Sequence, residues 1–289
     1  MRTRHHLENT QNFLRDDRLA RELVRKAALS QTDDVIDIGA GDGILTDALA
    51  SAAGTVFAVE LDGRYVEQLR KRFHDRPNVV VFAADALLFP LPATPYKVFA
   101  NIPYRWTSAI VAKLTSGTSP SVDSWLVVQR EAAERFLPAK TSTMVAIQLY
   151  PWFDVSIEHE FRRADFSPRP RVDSVLMRIR QRPDPLLPMD DRERFHDLVA
   201  AVFNAWKPTA ADALRALMPR QACDRLDSAL VFSLQVRPGG VRPDAWLRMY
   251  REAGQIGGAK FWRAVRRSAM KLREHQASIE RPTRTPVRR

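Results

Sequence analysis

The chain has 289 residues, 45% hydrophobic and 27% charged, which is enough for one large domain and a small one around a sizeable core. Its net charge of +11, carried by 37 Arg and 8 Lys, points to a polyanionic partner, nucleic acid before membrane surface. The single cysteine, Cys223, excludes an internal disulfide and a multi-cysteine metal site, and no apolar run approaches a membrane span or a secretory signal.

These features place the chain in a reducing cytoplasm. The Arg bias has two readings. Arg grips phosphate through two bonds and stacks on bases, and Arg codons are also favoured in a GC-rich genome. Residues 1–14 form an N-terminal arm, and apolar positions at helical spacing predict a helix over 16–29. Asp16 and Asp17 stand where a helix start favours negative charge. His5 and His6 lack a partner at ligand spacing and are read as solvated; no metal site is expected.

Val35-Ile36-Asp37-Ile38 reads as a short buried strand, followed by the turn Gly39-Ala40-Gly41-Asp42-Gly43 and a helix. The glycines permit a tight turn and close approach of backbone to a ligand. Their Gly-x-Gly-x-Gly spacing is not that of dinucleotide binding. A second strand, 55–60, ends in Glu60, placed to hold both hydroxyls of a ribose. A third, 79–84, ends at Asp85, which can accept from an adenine amino group. Each residue alone also has an ordinary explanation as a turn or helix-start residue. Together they are strand-tip groups in sequence order, where open α/β sheets bind ligands.

The fourth strand runs into Asn101-Ile102-Pro103-Tyr104. A buried strand keeps its polar groups paired. At a strand tip, this stretch instead offers an amide, backbone carbonyls and an aromatic plate to a flat base bearing an exocyclic amine. After it come a helix over 108–114, a strand over 125–129, a helix over 131–136 and strands over 154–161 and 174–179. Trp152 and Phe153 are read as core, with RNA contact as the alternative, and His159 as structural. Pro168-Arg169-Pro170-Arg171 predicts an extended loop. Prolines at 183, 185 and 188 mark a linker. Helices are expected over 190–206, 209–218, 221–230 and 243–253, with Trp206 in their core. The domains are thus residues 1–181, a helical unit over 182–254 that forms one wall of an RNA cleft, and a flexible tail over 255–289. The tail holds ten basic residues and two acidic ones. It is read as an RNA-contacting arm, with Phe261 and Trp262 for stacking; a disordered solubilising tail is the alternative.

The motifs in this order resemble class I S-adenosylmethionine-dependent methyltransferases, and more closely the rRNA adenine N6-methyltransferase family. The resemblance rests on Gln11-Asn12-Phe13-Leu14, Asp37 to Gly41, Glu60, Asp85-Ala86, Asn101 to Tyr104, residues 128–135 and residues 166–174. It implies a Rossmann-like, mostly parallel seven-stranded sheet with a small C-terminal all-helical domain, and S-adenosylmethionine as cofactor. It also implies roles. Asn12 and Leu14 would close over the cofactor; Gly39 and Gly41 would pass its methionine part; Glu60 would hold its ribose; Asp85 and the Ala86 backbone would address its adenine. Asn101 and the Ile102 carbonyl, followed by Pro103, would hold the target amine, and Tyr104 and Phe166 would sandwich the target base. Within the family, Ile102 in place of Leu, the absence of a basic cluster over 202–209 and the Arg-rich tail resemble the Erm-type branch. That branch modifies one adenine of 23S rRNA, as protein-free or early precursor RNA, and protects ribosomes from macrolide, lincosamide and streptogramin B antibiotics. The alternatives are a housekeeping small-subunit rRNA dimethylase and a non-catalytic nucleic-acid-binding factor on the same fold. A monomer is expected.

Overall fold

The computed structural model describes residues 12–117, 119–139, 141–230 and 232–279, with side chains described as far as His275. His5, His6, Gln11 and residues 280–289 lie outside the described residues. The chain divides into two compact units. One comprises residues up to Glu134 together with Phe153–Arg182, the other Arg135–Trp152 together with the residues from Pro183.

In the first unit a short antiparallel pair joins the arm to a distant loop: β1 (Phe13–Leu14) lies beside β8 (Phe166–Ser167), with Leu14 opposite Phe166. The main sheet is built from β2 (Asp34–Ile38), β3 (Thr55–Glu60), β4 (Val79–Ala83), β5 (Lys97–Asn101), β6 (Asp123–Gln129), β7 (Phe153–Glu160) and β9 (Ser174–Gln181). Its order is β4-β3-β2-β5-β6-β9-β7. Pairing is parallel from β4 through β6 and antiparallel where β9 inserts between β6 and β7. Helices α1 (Asp17–Lys26), α2 (Ile44–Ala50), α3 (Gly63–Arg72), α4 (Thr107–Thr115) and α5 (Arg130–Glu134) complete the unit.

The central strands read as continuous apolar runs because parallel strands are covered on both faces. Val35, Ile36, Val98, Phe99 and Ala100 are all fully buried. Phe99 stacks on Trp125 of β6 with ring centroids 6.1 Å apart. Arg178 of β9 lies 4.6 Å from the Trp125 ring and pairs with Asp123 through two bonds of 2.9 and 2.8 Å. The sheet runs outward from β2 to β4, then resumes at β5 on β2's other side. The carboxyl ends of β2 and β5 therefore flank the point where strand order reverses, the crevice in which open α/β sheets bind ligands.

The second unit is helical: α6 (Met144–Leu149), α7 (Arg192–Phe203), α8 (Ala210–Arg215), α9 (Arg220–Ala229), α10 (Pro243–Val265) and α11 (Ser268–Ile279). Gln148 of α6 and His196 of α7 exchange two side-chain-to-carbonyl bonds, of 3.2 and 3.1 Å. Burial, reinforced by the Arg192 charge, pushes the His196 imidazole down to about 4, so it packs as a neutral ring. Trp246 is fully buried and stacks on Phe203. No helix among the described residues is long and apolar enough to cross a membrane.

Several expectations are corrected here. Residues 135–152 fold with the second unit rather than the first, because α6 is tied to α7. Trp152 and Phe153 are buried, as their reading as core expects, and the Trp152 indole donates to the Leu187 carbonyl at 3.0 Å, so the alternative of RNA contact falls. Trp206 is not core: it is 93% exposed, at φ +53° in the turn after α7. Residues 255–279 are not a loose tail, since they continue α10 and form α11.

Candidate active site

At the strand tips of the first unit two concavities meet at the arm. The wider, of about 480 Å³, is lined by Glu60, Leu61, Tyr65, Asp85, Ala86 and Trp106 among others. The narrower, of about 20 Å³, has room for about one water molecule and is lined by Asn12, Leu14, Asp37, Asn101, Ile102 and Tyr104 among others. Phe13, Gly39 and Pro103 border both. Phe13 divides them, with its ring 5.4 Å from that of Tyr65. Gly41 makes this placement possible. At φ +56°, it lies where an added Cβ would fall 2.5 Å from the Phe13 ring.

In the wider concavity the acidic groups are held by backbone. Glu60 is 3% exposed; its Oε1 accepts from Leu61 N (2.8 Å) and Asp62 N (2.9 Å), and its Oε2 from Gly41 N (2.9 Å). A carboxylate has about four acceptor positions, so three are taken. Gripping both hydroxyls of a ribose therefore requires one of these backbone bonds to be exchanged. Asp85 Oδ1 accepts from Leu87 N at 2.8 Å, which leaves Oδ2 for a ligand. Lys113 of α4 fixes this loop, donating to the carbonyls of Leu87 (2.8 Å) and Phe89 (2.5 Å).

Asp37 was not among the residues the sequence singled out for a role, yet its side chain is the outlier of the narrower concavity. It is 1% exposed, and Oδ2 accepts from the Thr46 hydroxyl at 2.7 Å. Oδ1 is buried with no hydrogen-bond partner among the described residues. Burial pushes the carboxyl up to about 7; the Thr46 bond opposes this, and the Glu60 and Asp42 charges add to it. Such an unpaired acceptor is costly, and it suits a cationic ligand group. The signal in the sequence was an acid inside an otherwise apolar strand.

Asn101 closes β5, and its Nδ2 donates to the Asn12 carbonyl at 2.6 Å. An amide oxygen could not pair with that carbonyl, so Asn101 Oδ1 faces away from the arm. The Pro103 and Tyr104 carbonyls are spent on the following turn, accepting from Trp106 N (2.9 Å) and the Thr107 hydroxyl (2.8 Å). Among the described residues neither Asn101 Oδ1 nor the Ile102 carbonyl accepts a hydrogen bond. The Tyr104 hydroxyl is 2.6 Å from Ser174 Oγ, and burial holds it above the ordinary phenol range. Ser174 is 3% exposed, and its carbonyl accepts from Phe161 N. It therefore anchors the aromatic plate to β9.

Two expected contributors sit differently from their assigned roles. Phe166 is fully buried, with its ring 5.1 Å from that of Phe161, and pairs through β8 with Leu14 of β1. It offers no face to a base while β1 stays in place. Leu14 is also buried and packs in the core cluster of this unit, so what it turns to the concavity is limited. The remaining expected residues, Asn12, Gly39, Gly41, Glu60, Asp85, Ala86, Asn101, Ile102, Pro103 and Tyr104, are all gathered in or against these two concavities. Among the described residues no cluster of three or more His, Cys, Asp or Glu side chains has the arrangement of a metal site.

Comparison with known proteins places this geometry in context. Residues 2–254 match the family model described as ribosomal RNA adenine dimethylase. An rRNA adenine N-6-methyltransferase of Saccharopolyspora erythraea is 32% identical over 257 residues, covering 88% of this chain and 67% of the relative. A probable ribosomal RNA small subunit methyltransferase A of Methanopyrus kandleri is 34% identical, covering 74% and 78%. The crystal structure of the 23S rRNA methyltransferase ErmE superposes with a TM-score of 0.75 at 29% identity, over 83% of this chain and 99% of that one.

Proposed function

The chain belongs to the ribosomal RNA adenine dimethylase family, whose members are S-adenosylmethionine-dependent methyltransferases, and from that premise we propose that it N6-methylates a specific adenine of 23S rRNA in the cytoplasm. The likeness to the 23S rRNA methyltransferase ErmE supports the 23S assignment. Its physiological effect would be resistance to macrolides, lincosamides and streptogramin B. The observation that carries the reading is the strand tip of β5. Asn101 Oδ1 and the Ile102 carbonyl stand unspent beside Tyr104, next to a concavity bordered by Glu60 and Asp85.

In this reading the first unit binds donor and target base, and the second engages RNA. Glu60 addresses the donor's ribose, Asp85 and the Ala86 backbone its adenine, and Asp37 Oδ1 its ammonium. Gly39 and Gly41 leave room for its methionine part, and Asn12 covers it. When bound, the donor supplies an electrophilic methyl group on a sulfonium. The protein's residues do the rest by positioning. The N6 lone pair of adenine is delocalised into the ring, so the amine is a poor nucleophile. Acceptors at Asn101 Oδ1 and the Ile102 carbonyl hold the amine hydrogens and favour a more tetrahedral nitrogen with its lone pair aimed at the methyl group. Pro103 sets the turn that brings Tyr104 against the base. Extruding that base costs roughly a few kcal/mol, and stacking on an aromatic returns about 1–3 kcal/mol. Phe166 joins the stack only after β1 has moved.

Transfer of radiolabelled methyl groups to protein-free 23S rRNA, with primer extension to map the position, tests the proposal. The second reading, a small-subunit rRNA methyltransferase, is favoured by the Methanopyrus relative. Labelling of small-subunit particles in preference to 23S rRNA would select it. No transfer to either substrate would favour a binding factor.

A further inference from the structure

The family match ends at residue 254, yet helix continues to Ile279. Residues 255–279 carry six basic side chains, Lys260, Arg263, Arg266, Arg267, Lys271 and Arg273, against one acid, Glu274. A segment so charged has little reason to fold unless something holds it.

Two devices hold it, both within the second unit. The first is a kink. Gly258, at φ +57°, breaks α10, and the following turn lays Trp262 against Gly254, where an added Cβ would fall 2.9 Å from the indole. The Trp262 ring also meets Tyr250 edge-on at 5.4 Å, while Phe261, Val265 and Ala269 are buried. The second device is a remote cap. Asp197 of α7 is 4% exposed; its Oδ2 accepts from Arg267 N at 2.7 Å and its Oδ1 from Ala269 N at 2.9 Å. A helix start leaves its first N–H groups without partners. Here a carboxylate seventy residues away in sequence satisfies two groups at the start of α11, where its charge also complements the helix dipole.

This docking creates a fixed concavity of about 510 Å³ bordered by Arg194, Trp262, Arg263 and Arg266. Glu193 and Asp197 also border it, but both Asp197 oxygens are spent on the cap. The three guanidinium groups are exposed, and Trp262 is half-buried beside them. Guanidinium forks suit phosphate oxygens, and an indole beside them suits a base. The geometry points to a phosphate-binding site for RNA on this C-terminal extension, outside the span matched by the family, with Asp197 as the clasp that builds it. The inference rests on the proposed RNA substrate and adds to it a second, sequence-independent point of contact.

The test is filter binding of the full chain to protein-free 23S rRNA and to an unrelated transcript of equal length, from about 50 to 300 mM KCl. Arg263→Glu with Arg266→Glu leaves the buried docking residues in place. Its affinity for both RNAs should fall at least about tenfold, with a log–log salt slope shallower by about 1.4 for two lost phosphate contacts. Affinity for S-adenosylmethionine should not change. Asp197→Ala should give the same RNA defect together with faster amide exchange over residues 261–275. If that variant does not fold, the arginine pair decides alone. Wild-type affinity and slope in the arginine pair would overturn the inference, whether or not the patch then proves to hold a protein. A wild-type chain that neither binds nor methylates rRNA would instead overturn the functional reading beneath it.

Discussion

The two concavities that meet at Phe13 share the tip of β2, one with those of β3 and β4 and the other with that of β5, but they stand in different states of readiness. On the wide side, Glu60 and Asp85 are fixed by backbone N–H groups, and Lys113 ties down the loop beyond Asp85. On the narrow side, the Asn101 amide is bonded to the arm, and Asp37 keeps an unpaired oxygen. The wide side is preorganised, and only one of the three backbone bonds to Glu60 has to be exchanged when a ribose is gripped by both hydroxyls. The narrow side keeps an unpaired acid oxygen and an amide whose orientation is set by the arm. In the proposed reading the wide side receives the donor's nucleoside, and the narrow side takes both the donor's ammonium end and the target amine.

The strongest way to break the comparison is Asn101→Ala. If the strand-tip amide orients the target amine, single-turnover methyl transfer should fall about 100- to 1000-fold, the range for loss of one preorganised polar contact. Activity near wild type would remove the target site from the narrow side.

Asp37→Asn comes next. Burial holds this carboxyl at about 7 when folded, above its ordinary value of 3.8. The group therefore favours the folded state in full below about 3.8, and that contribution is lost as pH rises through about 7. By amide isosterism, Asn can still accept from Thr46. Melting curves without donor should show the variant gaining stability over wild type between about pH 4 and pH 7, and no further gain above that. A donor ammonium, by contrast, needs the ionised form. Calorimetry should show wild-type donor affinity rising by up to about tenfold per pH unit below about 7, and a flat profile in the variant. Parallel profiles would detach Asp37 from the donor.

Ser174→Ala sharpens the target side. It leaves the half-buried Tyr104 hydroxyl without its partner, at a cost of about 1 kcal/mol in denaturant unfolding. A several-fold loss of turnover should accompany it. Adding Tyr104→Phe should recover part of the stability in a double-mutant cycle; strict additivity would mean the pair is not coupled.

The smallest effect is expected at the divider. Gly41→Ala places a methyl group against Phe13 at a left-handed backbone position, costing about 1–2 kcal/mol. Donor affinity should weaken only a few-fold. Unchanged affinity and stability would mean that Phe13 shifts freely and divides nothing.

The sheet was legible because its strands are short apolar runs ending in polar residues. Val35 to Ile38, Thr55 to Glu60 and Lys97 to Asn101 carry both the strand and the group displayed at its tip. What escaped reading was non-local. The helix over 268–279 depends on a cap from Asp197 that no local pattern announces. Phe166 is buried by a strand from the arm, about 150 residues earlier in the chain. Trp206 was assigned inward on residue type, but the chain turns at φ +53° there and leaves it in solvent. Asp37 was visible as an acid in an apolar strand, yet its orphaned oxygen follows from where Thr46 sits.

The bond from the Asn101 amide to the Asn12 carbonyl reaches beyond holding the arm. By taking one hydrogen of the –NH₂ group, it orients the amide so that an incoming purine meets the oxygen pole. A base bearing oxygen at its sixth position, such as guanine or inosine, would face oxygen against oxygen and be repelled, whereas an amino group is welcomed. In this way a main-chain carbonyl that touches no substrate could choose between two purines of nearly identical outline.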